Sequence, residues 1–211
     1  MIRAVLFDFG GVITSSPFEA FNRYEAEAGL PRDTVRTINS TNPHANAWAR
    51  LERGEIDVGQ FAASFEREAA GLGFTVDADA VLDALVGELR PAMVEAVRRC
   101  GEHLVTALLT NNFRSNDERP RADEIRSVMA MFDHVVESSV VGRRKPEPAF
   151  YRLACAQIGL DARECVFLDD LGVNLKPARA MGMTTIKVGD AATALAELES
   201  VVGFPLTTSG G

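Results

Sequence analysis

The stretch Val5-Leu6-Phe7-Asp8-Phe9-Gly10-Gly11-Val12 decides the reading of this chain. Its apolar run has the look of a buried strand that delivers one carboxylate, Asp8, to the strand's end. The two glycines that follow let backbone approach a ligand closely. A charge at the tip of a buried strand is costly unless a metal or a reaction uses it. Three later segments would each bring a matching polar group to the same edge of one sheet.

Strand-like runs at 2–8, 104–110, 133–138, 164–169 and 183–188 alternate with helical patterns at 93–100, 120–131, 148–158, 175–181 and 191–200. That alternation predicts an α/β fold, a doubly wound Rossmann-like parallel sheet. Runs such as Leu104-Val105-Thr106-Ala107-Leu108-Leu109 lack period-2 alternation, as strands covered on both faces do. Gly101, Gly159 and Gly182 stand where left-handed helix C-caps are expected. Right-handed crossovers place strand 1 centrally, with strand 2 on one side and strand 4 on the other. The reversal of order beside strand 1 opens a crevice at the strand ends.

Between Ser16 and about residue 90 the pattern is helical. Ser16-Pro17-Phe18-Glu19 reads as a capping box with proline at the first helical position. Phe18, Phe21 and Tyr24 share one face, Asp57 with Gln60 opens a helix carrying Phe61 and Phe65, and Val81, Leu82, Leu85, Val86 and Leu89 stripe another. A helical cap over 16–90 is therefore expected, inserted after strand 1 and lying over the sheet edge as a lid. The core is then 1–15 and 91–205, with 206–211 a flexible tail.

The 211 residues are 46% hydrophobic and 25% charged, with a net charge of −8. The acidic balance argues against nucleic acid or an anionic membrane as partner. No apolar run reaches the ~20 residues of a spanning helix, and the N-terminus is read as entering strand 1 without a signal peptide. Cys100, Cys155 and Cys165 are odd in number and set among apolar residues, so they read as reduced core thiols of a cytoplasmic protein. The sequence leaves monomer and homodimer open.

Three constellations carry the chemistry. Asp8 with Asp169 and Asp170 gathers carboxylates that repel one another unless a divalent cation neutralises them, and oxygen-only ligands favour Mg²⁺. Thr110-Asn111, just past a buried strand, offers a hydroxyl, an amide and loop N–H groups to phosphate oxygens. Lys145, stiffened by Pro146 and Pro148, is presented beside a helix N-terminus, whereas Arg143 and Arg144 read as a solvated basic turn. Together these groups describe phosphoryl transfer from a small phosphorylated substrate through an aspartyl-phosphate on Asp8.

All four motifs, Asp8-Phe9-Gly10-Gly11-Val12, Leu109-Thr110-Asn111, Lys145-Pro146 and Leu168-Asp169-Asp170, resemble those of the haloacid dehalogenase superfamily in their order. The likeness is to its phosphatases, on the pattern of the N-terminal phosphatase domain of soluble epoxide hydrolase and the N-terminal region of an acyl-CoA dehydrogenase relative. It implies a Mg²⁺-dependent hydrolase with Asp8 as nucleophile and metal ligand. Gly10 would offer its backbone carbonyl and Asp170 its carboxylate to the metal. Thr110, Asn111 and Lys145 would hold phosphate, Lys145 also acting in catalysis. Asp169 would orient metal-bound water, and Asn174 would support that loop.

One departure matters. Phosphatases of this family usually carry a second aspartate two residues after the nucleophile as general acid and base, and this chain has Gly10. Such a group contributes roughly 10²–10⁴ in rate. Turnover limited to good leaving groups, such as sugar 1-phosphates or acyl phosphates, is the expectation. The alternatives are a catalytically weak phosphate-binding or regulatory module, or a phosphotransferase or mutase. Asn42, His44, Trp48 and Glu52 fall near the expected cap face, with Arg53-Gly54-Glu55-Ile56 a turn beside them. His103 and His134 fall at the far end of the sheet.

Overall fold

In the computed structural model, which describes residues 1–85, 87–114 and 121–206, the apolar runs form five parallel strands. These are β1 (Ala4–Phe7), β2 (Val105–Thr110), β3 (His134–Glu137), β4 (Cys165–Asp169) and β5 (Thr184–Lys187), in the order β3-β2-β1-β4-β5. Phe7 pairs with Leu108 on one side and Leu168 on the other, so Asp8 emerges at the centre of the strands' carboxyl edge. The ladder runs one step further, since Asp8 N–H donates to Leu168 C=O at 2.9 Å.

Successive residues of β1 point to opposite faces, and each face has its own core. Val5 and Phe7 pack with Val97, Leu108 and Leu195 under α6 (Pro91–Gly101) and α11 (Ala191–Val202). Ala4 and Leu6 pack with Leu109, Phe150, Phe167 and Leu175 under α9 (Pro148–Ile158) and α10 (Gly172–Ala180). Burial on both sides is why these strands carry continuous apolar runs. Remaining core helices are α7 (Ala122–Met129) and α8 (Ser138–Val141), the latter directly after β3.

Among the described residues, five helices fall inside the expected insertion: α1 (Pro17–Glu27), α2 (Thr34–Ser40), α3 (Ala47–Glu52), α4 (Val58–Gly71) and α5 (Ala78–Asp83). They bury a third apolar cluster that includes Phe21, Val35, Ile38, Leu51, Phe61, Phe65 and Leu82. Trp48 meets Phe21 and Phe61 edge-on at 5.7 and 5.2 Å, and Phe61 stacks on Phe65 at 5.1 Å. The buried Glu25 carboxylate caps the next helix, accepting from Asp33 N–H at 2.7 Å and Val35 N–H at 2.8 Å. The two connections to the sheet lie side by side, with Thr14 bridged to Leu89 and Arg90 N–H donating to Ile13 C=O at 2.8 Å. Among the described residues, no helix is long and apolar enough to cross a membrane.

Several local expectations need correction. Gly101 is the last residue of α6 and is followed by Glu102 in a right-handed conformation, because three further residues separate the helix from β2 and no sharp reversal is required. Gly159 and Gly182 do adopt positive φ, 73° and 100°. α10 starts at Gly172, earlier than expected, since Leu171 turns the chain immediately after the acidic pair. Ser16 accepts from Phe18 N–H, not the Glu19 N–H that a capping box uses, whereas Asp57 and Gln60 form the full box. Pro120, Val86 and residues 207–211 lie outside the described residues. The three cysteines are free, and burial pushes the Cys100 thiol up to about 12.

Phe61 is fully buried at the centre of the helical cluster. Phe61→Ala is expected to cost about 3–5 kcal/mol in denaturant-induced unfolding. A loss under about 1 kcal/mol would mean that these helices share no packed core.

Candidate active site

Asp8, Thr110 and Asp169 end adjacent strands, and the loop after β3 and α8 returns Lys145 to the same edge. Lys145 is 1% exposed, and its ammonium lies 2.6 Å from Asp8 Oδ1 and 2.8 Å from Asp169 Oδ2, above the Phe167 ring. Burial alone would depress this ammonium, but the Asp169 and Asp8 carboxylates hold it above the ordinary lysine range. It remains charged at neutral pH.

Each carboxylate has a different share of donors. Asp169 is fully engaged: Oδ1 accepts from Leu171 N–H at 2.8 Å and Asn174 Nδ2 at 3.0 Å, and Oδ2 from Lys145 and from Asn174 Nδ2 at 3.1 Å. Asn174 is held in turn, its carbonyl accepting from the buried Tyr151 hydroxyl at 2.7 Å. Asp169 therefore anchors the lysine, each of its oxygens accepting from two protein donors. On Asp8, Oδ1 accepts from Lys145 and from Phe9 N–H at 2.6 Å, so Oδ2 is the oxygen left for a ligand.

Asp170 is the third acid. Gly11 lies against it with φ 79°, and a Cβ there would come within 2.3 Å of Asp170 Oδ2, so this position requires glycine twice over. Arg90 fixes the same turn by donating to Gly11 C=O at 2.8 Å. No local pattern signals that contact, since Arg90 and Gly11 stand 79 positions apart.

Burial pushes the Asp8 carboxyl well above its usual range; Lys145 opposes this, while Asp169 and Asp170 add to it. Burial, then Asp169, push Asp170 up to about 6, against the opposing pull of Lys145. Oxygens of Asp8, Asp169 and Asp170 come within 4.8 Å of one another. Three acids with one buried ammonium leave uncompensated negative charge. That donor set fits a hard divalent cation held by Asp8 and Asp170, since Asp169 is already occupied.

Thr110 and Asn111 are brought to the same wall. Thr110 ends β2, with its side chain at the cavity. The Asn111 amide grips Lys145 instead of facing phosphate: its Oδ1 accepts from Lys145 N–H at 2.8 Å and its Nδ2 donates to Lys145 C=O at 3.0 Å. Arg144 is no solvated turn residue either. Its guanidinium is paired with the Glu52 carboxylate and donates to Pro43 C=O at 3.0 Å. Complementary charges on segments far apart in sequence make such a pair invisible to local pattern.

A cavity of about 620 Å³ opens from the acids toward the helical unit. Phe18, Phe21, Trp48 and Leu85 line it from one side, and Phe9, Phe113, Ile125, Met129 and Val173 from the other. Some of its polar groups are paired with one another, Trp48 Nε1 donating to Glu52 at 3.0 Å and Asn112 donating to Glu137, while the buried Asn39 Oδ1 has no hydrogen-bond partner among the described residues. His44 reaches the wall but is exposed. His103 packs on Phe204, away from this wall.

A family model described as haloacid dehalogenase-like hydrolase matches residues 2–182. Among curated relatives, acyl-CoA dehydrogenase family member 10 of Mus musculus is 35% identical over 210 residues, covering 97% of this chain and 19% of that protein. Bifunctional epoxide hydrolase 2 of Mus musculus is 32% identical over 222 residues, covering 97% and 40% respectively. This chain thus spans well under half of either relative. Sesquiterpene phosphatase astK of Aspergillus oryzae is 28% identical over 204 residues, covering 95% of this chain and 97% of that one. Among solved structures, a haloacid dehalogenase family enzyme of Bacteroides thetaiotaomicron in complex with magnesium and inorganic phosphate superposes with a TM-score of 0.62 at 19% identity, covering 90% and 96%.

The raised acid at Asp170 generates a pH prediction. Protonation below about pH 6 removes a cation ligand, so apparent Mg²⁺ affinity should fall by up to about tenfold per pH unit on acidification. Because these folded-state carboxyls lie above their unfolded values, the metal-free fold carries a penalty that sets in as pH rises through that range. Millimolar Mg²⁺ should then raise the melting temperature more at about pH 7.5 than at about pH 5. Equal shifts at both would count against these acids as the cation site.

Proposed function

The chain belongs to the haloacid dehalogenase-like hydrolases, and on that premise we propose that it is a Mg²⁺-dependent phosphohydrolase working through a phosphoryl group carried on Asp8. The observation that carries this reading is the position of Asp8. Its Oδ1 is tied down by Lys145 and Phe9 N–H, and its other oxygen is left at the floor of the cavity beside Asp170.

In the proposed first step the free Asp8 oxygen attacks phosphorus and the bond to the leaving oxygen breaks. Lys145, the Thr110 hydroxyl and loop N–H groups hold the equatorial oxygens where charge accumulates. A Mg²⁺ bound by Asp8, Asp170 and the Gly10 carbonyl would neutralise the acids and the substrate phosphate. In the second step water attacks the phosphorus of the acyl phosphate, the bond to Asp8 breaks, and inorganic phosphate leaves with the proton passing to solvent. The helical unit acts as a cap that keeps bulk water out of the first step.

Two features narrow the substrate. Gly10 supplies no proton to the departing oxygen, which favours leaving groups stable as anions. The cavity away from the acids is walled largely by aromatic and aliphatic side chains, and Trp48 and Glu52 bond to each other there, which favours an apolar body over a sugar. An aryl or acyl phosphate with an apolar body meets both conditions, and the relative named a sesquiterpene phosphatase is in keeping with the second.

Asp8→Asn should lower Mg²⁺-dependent phosphate release from an aryl phosphate by on the order of 10⁴-fold or more, measured with and without chelator. Unchanged release would sink the assignment, and a wild-type protein that binds phosphate without releasing product would favour the regulatory alternative. Gly10 has φ −68°, and an added Cβ would meet only Pro17 at 3.7 and 3.8 Å, so the backbone accepts a side chain there. Gly10→Asp should therefore speed alkyl phosphates by up to about 100-fold and aryl phosphates much less. A uniform effect across leaving groups of graded acidity would contradict the missing-acid account.

A further inference from the structure

The helical unit touches the sheet edge at a second place besides its two connecting strands, through the end of α3. Glu52, the last residue of that helix, is 8% exposed and shares its carboxylate among three partners. Oε1 accepts from Trp48 Nε1 at 3.0 Å, and Oε2 accepts from Asn111 Nδ2 at 3.1 Å and from Arg144. Trp48 belongs to the aromatic core of the helical unit, whereas Asn111 and Arg144 belong to the sheet side.

The same Asn111 amide holds both the N–H and the C=O of Lys145. A continuous chain of hydrogen bonds therefore runs from the aromatic core, through Glu52 and Asn111, to the backbone of the buried lysine. The start of α3 is tied to its own unit, with Asn46 Oδ1 accepting from Ala49 N–H at 2.9 Å and Glu68 accepting from Ala47 N–H at 2.8 Å. Glu52 thus moves only when the unit moves. Beside it, Gly54 sits against α8 with φ 67°, where a Cβ would lie 2.7 Å from Ser139 C=O, so the two surfaces meet at backbone distance.

We propose that Glu52 is a positioning residue: closure of the helical unit sets Asn111 through the Glu52 carboxylate, and Asn111 then sets the Lys145 backbone, so that the phosphate-binding ammonium is in register only when the cap is shut. This rests on the phosphohydrolase reading for its rate consequence, though not for its effect on anion binding. The neighbouring pair, Arg53 to Glu147 at 3.1 Å, also joins cap to core but makes no contact with Asn111 or Lys145. It separates a general need for closure from a specific link to the lysine.

Glu52→Gln places an amide N–H₂ against donors on one side, and Glu52→Asp withdraws the carboxylate from Asn111 while keeping its charge. Either is expected to lower kcat for an aryl phosphate roughly 10–100-fold and to weaken inorganic phosphate, titrated calorimetrically with Mg²⁺, by about tenfold. Arg53→Gln should change neither by more than about threefold. Inorganic phosphate has no organic body to pack between the helices, so a purely structural role for the clasp would leave its affinity untouched in every variant. Equal losses in the Glu52 and Arg53 variants, or intact phosphate affinity in both Glu52 variants, would overturn the proposal. If Glu52→Gln fails to fold, Glu52→Asp decides. Should the wild-type protein release no phosphate from any substrate, the phosphohydrolase reading fails, and the calorimetric comparison still judges the link.

Discussion

The Lys145 ammonium, held between Asp8 and Asp169 with almost no access to water, is the constraint around which the rest of the structure is arranged. A buried cation persists only with close anionic partners, and removing one such partner typically costs about 3–5 kcal/mol. Those partners must come from different strands, because one strand end offers a single side chain in the right direction. The β3-β2-β1-β4-β5 order supplies them: β1 and β4 are neighbours, and the loop beyond β3 swings Lys145 back across β2. Asn174 and Leu171 N–H then occupy what remains of Asp169, which leaves Asp8 and Asp170 as the acids with oxygens to spare. The surplus negative charge at this edge follows from the same arrangement.

From that surplus the chemistry is a short step. A strand-end carboxylate with one oxygen pinned and the other facing a cavity is oriented to form a bond. The excess charge that burdens the metal-free fold is the charge a divalent cation would use. What the site lacks is a proton source at position 10, and what it has in abundance is apolar wall. The two features are consistent with each other, since a leaving group that needs no protonation and an apolar body can belong to one molecule. The helical unit carries its own core, independent of the sheet's two faces. It can therefore shift as a body while the strand-end acids stay in place.

The sheet and its edge were legible because they depend on local signals: continuous apolar runs, acids directly after them, and crossover handedness. Asp8, Thr110, Asp169 and Asp170 could be placed by strand order, and Lys145 by the prolines and helix start that follow it. The Asn111 amide could not, because its preference for the Lys145 backbone over a ligand depends on how a loop from beyond β3 approaches it. Arg144 looked solvated because its partner Glu52 lies on a helix far away in sequence, and Arg90 gave no hint of its hold on Gly11. Short helices α2 and α3 escaped periodicity because each has only about two turns over which a stripe could repeat. Gly101 resembles a helix terminator in sequence, yet the helix absorbs it as its last residue.

Whether Asp8 itself carries phosphorus during turnover can be read by mixing the enzyme with Mg²⁺ and an aryl phosphate, quenching in acid within the first turnover, and mapping the peptides by mass spectrometry. With no acid or base at position 10, loss of phosphate from the enzyme should be slow and the adduct should accumulate. One phosphoryl group is expected on the peptide that contains Asp8, released by hydroxylamine as an acyl phosphate. Rapid phosphate release with no adduct on that peptide, or an adduct on any other residue, would contradict it.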